Sequence, residues 1–257
     1  YLTAINITKD IPGVTVTNMT EPQTGCLHDY TLSTRDLKVL ENADIFIING
    51  GNMESFLEKV TRQMPDLKIV DSSEGMDFIV DEETGKPNPH VWVSISGLIE
   101  QTRIMSDKLS AYDSSNAEKY RQNAEEYIKK LEALKDKMHR ELDGLKNRSI
   151  VTFHEAFPYF AKEFNLEIKA VLVHEHDEGM DAGKLAKTVD IIKKEGIKAL
   201  FVEPQYKEDI AETVARETGA EIFTLDPIVT GEADGDTDAY IRRMEANLEV
   251  LKEALGD

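Results

Sequence analysis

Short, dense apolar runs alternate along this chain with longer stretches in which apolar residues recur every three or four positions. The runs Val14–Met19, Asp44–Asn49, Leu67–Val70, Ser149–Phe153, Glu167–Val173, Lys198–Val202 and Ala220–Leu225 read as strands. The periodic stretches predict helices: one after Ser33 as N-cap, then Met53–Val60, Ser96–Ala111, Ala156–Phe164, Gly183–Glu195, Glu208–Thr218 and a closing helix over Asp238–Leu255. Between the strand at Leu67 and the helix at Ser96, the segment FIVDEETGKPNPHVW carries Gly85 and Pro87 as breakers and reads as a turn-rich excursion.

The longest element runs from Asn116 to Leu145. It contains no proline, and its one glycine, Gly144, lies near the end. Tyr120, Ala124, Tyr127, Ile128, Leu131, Leu134 and Met138 repeat at helical spacing, and charged residues fill the other faces. One helix of this length reads better as a rigid strut than as a coiled-coil dimer. The expected organisation is an α/β lobe over 1–112, a linking helix over 113–147, and a second α/β lobe over 148–257. Strands that alternate with helices imply mostly parallel sheets covered on both faces. The fold class is therefore α/β: two similar lobes joined by one long rigid helix, with the binding site in the cleft between them.

Composition narrows the function classes. The chain has 257 residues, 40% of them hydrophobic, and a formal net charge of −19. It has no basic stripe, which disfavours nucleic-acid binding; the acidic surface reads first as a solubility device. Cys26 is the only cysteine, so no internal disulfide can form. No apolar run approaches transmembrane length. The first residue is Tyr1 rather than Met, which is compatible with a removed export signal.

Four phrases place metal-ligating side chains at strand ends or tight turns: GCLHDY at His28, NPHVW at His90, TFHEAFPYF at His154 and TLDPIVTG at Asp226. Ligands of open α/β sheets bind beyond the carboxyl ends of the strands. Taken singly, each of these residues has a plain reading as a capping or hydrogen-bonding group, and Asp226-Pro227 is an ordinary turn starter. Together, three imidazoles and one carboxylate form a closed four-coordinate set, which suits zinc and also admits manganese. A catalytic zinc keeps one position open; a carried or structural ion does not.

In order and over essentially the whole chain, these phrases resemble the zinc- and manganese-specific solute-binding proteins of ABC transporters, the metal-binding lipoprotein and adhesin family. GCLHDYTLSTRDLKVLENADIFIINGGNMESF is similar to the first ligand segment of that family, NPHVW to its Asp-Pro-His-x-Trp motif, FHEAFPYFAKEFNL to its His-x-Ala-Phe-x-Tyr-Phe segment, and FVEPQY and the LDP turn to its last two blocks. By that resemblance His28, His90, His154 and Asp226 occupy the ligand positions, and the fold is two α/β lobes on one long helix, with the first strand of the first lobe expected upstream of Tyr1. His154 stands where manganese-type members tend to carry Glu, which points to zinc. Asn88 departs from the Asp of the motif, and the histidine-rich loop of many zinc members is absent.

The resemblance implies an extracytoplasmic receptor, periplasmic or lipid-anchored, that captures Zn2+ (alternatively Mn2+) as a transported ligand. It implies delivery to an ABC permease at the membrane, by a monomer with no enzymatic activity. Candidates for supporting or gating roles are Glu155, Glu203, His174 and His176; the last two sit in the loop VLVHEHDEGMDAG, which reads otherwise as a solvated loop. A rival reading is a metal-dependent hydrolase with Glu155 or Glu203 as general base, and a third is an adhesin using its acidic surface. His139, among charges on the long helix, reads as a surface residue, and Cys26 as a small packed side chain.

Overall fold

A computed structural model of the protein describes residues 1–19, 30–81, 85–173, 182–206, 209–231 and 235–256. Its elements follow in the order α1 (Leu2–Ile7), α2 (Thr34–Glu41), β1 (Ile45–Ile48), α3 (Leu57–Gln63), β2 (Lys68–Asp71), a single 3-10 turn (Val91–Val93), α4 (Ile95–Tyr112), α5 (Ala117–Leu142), β3 (Ser149–Thr152), α6 (Pro158–Glu163), β4 (Glu167–Val171), α7 (Ala182–Glu195), β5 (Ala199–Val202), α8 (Asp209–Thr218), β6 (Glu221–Thr224) and α9 (Ala239–Leu255). Among the described residues the six strands β1–β6 pair only in parallel, so the class is α/β, as the alternating pattern requires.

The chain divides into two compact units. One holds Tyr1–Trp92, Ser96–Glu132 and Val229–Ala239; the other holds Val93–Ile95, Ala133–Ile228 and Tyr240–Asp257. The division falls inside α5, the predicted strut. Tyr120 and Ala124 of this helix enter the core of the first unit, while Lys137 and Glu141 pair with Glu245 and Lys252 of α9 in the second.

In the first unit β1 and β2 form a two-stranded ladder in which Ile45 pairs with Lys68 and Ile48 with Asp71. Side chains alternate across a strand. Ile45 and Ile47 accordingly join Ile7, Val70, Met105 and Leu109 on one face, and Phe46 and Ile48 join Leu40, Phe56 and Val60 on the other. Helix α2 begins at the predicted cap: Ser33 Oγ accepts the Asp36 N–H, and Asp36 Oδ2 accepts the Ser33 N–H at 2.7 Å, a reciprocal capping box.

Two predictions for this unit need correction. Val14–Met19 joins no ladder among the described residues; Val14 and Val16 only pack against the core. The apolar alternation was real, but it describes burial and cannot supply a hydrogen-bonding partner. Helix α3 starts at Leu57, not Met53. The Glu54 carboxylate turns back to accept the N–H groups of Asn49 at 2.7 Å and Gly50 at 3.2 Å, so the intervening residues form a turn instead of a first helical turn.

The second unit carries a four-stranded sheet in the order β4-β3-β5-β6. The central strand β5 (ALFV) is buried at every position, and the edge strands β4 and β6 are only partly buried, as a parallel sheet covered on both faces demands. Val151, Phe153, Leu200 and Val202 pack with Ile192, Ala211 and Val214 of α7 and α8. Pro158 opens α6 at a position where a missing N–H costs nothing.

Candidate metal centre

In the first unit, His90 follows an antiparallel contact within the turn-rich excursion, made by the Val80–Pro87 bridge and by the Asn88 N–H donating to Ile79 O at 2.8 Å. The His90 side chain is fully buried, and its ring lies 5.2 Å from that of Trp92. Asn88 Oδ1 sits 3.0 Å from both the backbone N and the ring Nδ1 of His90. A side-chain carbonyl only accepts, so the ring proton belongs on Nδ1 and the lone pair on Nε2. That is the tautomer a metal ligand needs.

The backbone ahead of His90 is held from below. Asn49 Nδ2 donates to Pro89 O at 2.9 Å. Gln101 Nε2 donates to Asn49 Oδ1 at 2.9 Å and to Ser72 Oγ at 3.1 Å, and Ser72 Oγ donates to Asn49 O. Gly51, at φ 61°, lies so close that an added Cβ would stand 3.3 Å from Pro89 Cα and 2.6 Å from the Phe78 ring. The glycine pair after β1 is therefore a tight turn beneath the His90 segment. Burial pushes the Glu54 carboxyl up, against the two N–H bonds that favour its charged form.

In the second unit, His154 stands two residues past β3, buried, and Glu203 stands one past β5, equally buried. The two strands are neighbours, with Thr152 paired to Phe201, which brings the side chains together beyond the strand ends. His154 Nδ1 lies 3.3 Å from Glu203 Oε1, at ion-pair distance without hydrogen-bond alignment. Gln205 Nε2 donates to the other oxygen, Oε2, at 2.5 Å. Tyr206 covers the imidazole with ring centroids 5.6 Å apart. An oxygen beside Nδ1 again leaves Nε2 as the ring nitrogen that could take an ion. Glu155, the adjacent residue, is half-buried in the turn that follows.

Asp226 comes two residues after β6. Its Oδ2 accepts from Arg243 Nε at 2.6 Å and pairs with the Nη2 of the same guanidinium at 2.6 Å, and its Oδ1 accepts from the Ile228 N–H at 2.8 Å. Asn247 clamps its backbone, accepting the Asp226 N–H at 2.9 Å and donating to its O at 2.7 Å. Thus His154, Glu203 and Asp226 all lie just beyond the carboxyl ends of parallel strands, where the sequence places the chemistry.

His28 and Cys26, and His174 and His176 of the acidic loop, lie outside the described residues. Among the described residues no group of three or more His, Cys, Asp or Glu side chains is placed to hold an ion. His139 is half-exposed, as a surface reading requires, but its ring also packs on Phe164 at 4.9 Å. Sequence reasoning missed Asn49, Gln101, Arg243 and Asn247. Each is an ordinary polar residue on a strand end or helix, and none carries a local signal of its distant partner.

A parallel α/β scaffold that presents a buried imidazole and a braced carboxylate beyond its strand ends, with a second buried imidazole on a connecting segment, has the construction of a solute-binding protein. The chain belongs to the family described as zinc-uptake complex component A, periplasmic (ZnuA), whose profile matches residues 4–254. It is 26% identical to the manganese-binding lipoprotein MntA of Halalkalibacterium halodurans, over 89% of this chain and 77% of that protein. It is 30% identical to the zinc-binding lipoprotein AdcA of Streptococcus pneumoniae, over 88% of this chain; the match spans 48% of AdcA, about half its length. Among solved structures, that of the SBP FpvC from Pseudomonas aeruginosa in complex with Mn2+ superposes with a TM-score of 0.87 at 27% identity, covering 100% of this chain and 94% of the other. No helix among the described residues is long and apolar enough to cross a membrane.

Proposed function

We propose that this protein is an extracytoplasmic receptor that binds one Zn2+ and delivers it to the permease of an ABC transporter. In this reading His28, His90, His154 and Asp226 are the ligands, the protein is a monomer, and it performs no catalysis. The observation that carries the proposal is that the two buried imidazoles each face an oxygen at Nδ1, Asn88 Oδ1 at 3.0 Å for His90 and Glu203 Oε1 at 3.3 Å for His154. Both arrangements put an oxygen at Nδ1 and leave Nε2 for an ion, and metal-ligating histidines are held in this way. Family membership across residues 4–254 supports the transport role.

With four protein ligands, the ion would keep no bound water to serve as a nucleophile, which separates a receptor from a zinc hydrolase. Release then requires a partner to separate the ligands. His174 and His176 are proposed to offer an incoming ion transient contacts ahead of that set. The export route, as a periplasmic protein or a lipid-anchored one, follows the same reading.

A manganese receptor is the second reading, because MntA and the FpvC complex are relatives named for manganese. The histidine at position 154 favours zinc, since imidazole suits that ion better than it suits manganese. The test is metal analysis of protein purified without added metal, followed by titration and thermal melting with each ion. Zinc should bind one to one. At a free concentration about a hundredfold above Kd it should stabilise the fold by about 2.7 kcal/mol. A melting temperature of verified apo protein that ignores saturating zinc would overturn the proposal, and preferential retention of manganese would establish the second reading.

A further inference from the structure

The backbone that carries His90 is held at both ends. Upstream, Asn49 Nδ2 donates to Pro89 O. Downstream, the chain passes through the 3-10 turn Val91–Val93 and belongs to the second unit for Val93–Ile95, before α4 runs on. There the Ile95 N–H donates to Oε2 of Glu163 at 2.7 Å, across 68 residues of sequence. His90, Val91, Val93 and Ile95 are all fully buried, so an N–H in this segment depends on a protein acceptor. Helix α4 has no acidic residue in its own first turn. The negative charge that favours a helix N-terminus comes instead from Glu163.

We propose that Glu163 is a positioning residue for His90: by accepting the Ile95 N–H it seats the segment on which the imidazole stands, and so slows the departure of an ion from that imidazole. The inference rests on the receptor reading through His90 alone, which is among the described residues, and it requires no particular number of ligands.

The acceptor is itself firmly placed. Glu163 is the last residue of α6 (Pro158–Glu163). That short helix is anchored by Phe157, Phe160 and Phe164, all fully buried, with ring centroids 6.2 Å apart in the first pair and 4.8 Å apart in the second. Close packing of this kind leaves the carboxylate little room to follow a wandering donor. The segment between donor and imidazole is equally short of slack. Ile95 comes five residues after His90, and three of those five form the tight 3-10 turn. A displacement of Ile95 is therefore passed along a buried backbone to His90, and the bond to Glu163 resists it. Hydrogen bonds to a charged acceptor are the stronger kind, and a buried donor that loses one bears the full cost of desolvation.

The test uses the full chain as wild type, E163A and E163Q, with Zn2+ as the probe. Glutamine keeps a carbonyl that can accept the Ile95 N–H, whereas alanine removes the acceptor. Three quantities are read: amide exchange at Ile95, the emission of Trp92, and the rate at which zinc passes to a chelator in excess. Trp92 is the only tryptophan of the chain, and its ring lies 5.2 Å from that of His90. In the wild type the Ile95 amide should belong to the slowly exchanging set. In folded apo E163A its exchange should quicken by at least about tenfold, the scale of one charge-assisted hydrogen bond lost, and Trp92 emission should shift. Zinc release from E163A should quicken by a similar factor, with E163Q between alanine and the wild type on all three. A wild-type Ile95 amide that exchanges as fast as exposed loop amides overturns the proposal whether or not the variants fold. So does an E163A that melts lower with and without zinc alike but keeps the wild-type emission and release rate, because that reports a cap serving stability alone. An E163Q indistinguishable from E163A overturns it too, since the hydrogen bond would then do nothing. A wild type that binds no zinc sinks the receptor reading and the release role together, whereas zinc binding with release unchanged in E163A sinks only the role of Glu163.

Discussion

Asn88 serves two donors of His90 with one oxygen, its Oδ1 lying 3.0 Å from the backbone N and 3.0 Å from the ring Nδ1. The amide thus performs the orienting task of the aspartate that the resembled motif carries, without its charge. Asn88→Ala should lower zinc affinity by about ten- to a hundredfold, the usual effect of losing such a partner. Asn88→Asp should raise it, because a carboxylate makes the imidazole a stronger donor. Competition with a chromogenic chelator measures both, and equal affinities across the three proteins would rule out an orienting role.

His154 and His139 provide an internal contrast. His154 is buried beside Glu203 beyond a strand end, whereas His139 is half-exposed on α5, beside Asp143 and against Phe164. His154→Ala should reduce zinc affinity by several orders of magnitude, while His139→Ala should leave it unchanged and cost only some packing. Isothermal titration of both, with circular dichroism to verify folding, decides the matter; comparable affinities would remove His154 from the ligand set.

Gly51→Ala should destabilise the first unit by about 1–3 kcal/mol, the cost of a residue forced into a sparsely populated backbone region, with the clash against Phe78 in addition. Gly13 is the control: its φ of +78° imposes a similar conformational demand, but an added Cβ would meet nothing within 4 Å. Gly13→Ala should therefore cost less. The Gly51 variant alone should also weaken zinc binding, because the displaced Pro89 carries His90. Thermal melts and titrations of the pair that show no difference would refute this account of the glycine turn.

Hydrogen bonds from Ser115, Asn116 and Tyr120 hold the Asp113 carboxyl down at about 2, against an ordinary value of 3.8. A carboxyl lowered on folding contributes stability that is complete above the unfolded value and is lost as pH falls through the folded one. The contribution should therefore be full above 3.8 and vanish near pH 2. Asp113→Asn should melt below the wild type at neutral pH, and the gap should close over that acid window. A gap that stays constant down to about pH 2 would assign its origin to packing at the start of α5 rather than to the charge.

Much of this protein was legible from the chain alone. Dense runs such as ALFV and SIVT announced strands buried on both faces, and the long repeat from Tyr120 to Met138 announced α5, because burial imposes its period directly on neighbouring residues. The cap at Ser33 was equally local. Even the placement of His154 and Asp226 followed from their position just after apolar runs. Tertiary structure decided what depends on partners far along the chain. Val14–Met19 has the alternation of a strand and yet joins no ladder among the described residues, since pairing needs a neighbour that the pattern does not specify. Glu54 delayed α3 by turning back to the end of β1. Arg243 and Asn247 reach Asp226 across 17 and 21 residues, and Gln101 reaches Asn49 across 52. Hydrophobic periodicity is written residue by residue, whereas a buried hydrogen bond is decided only when folding brings its donor and acceptor together.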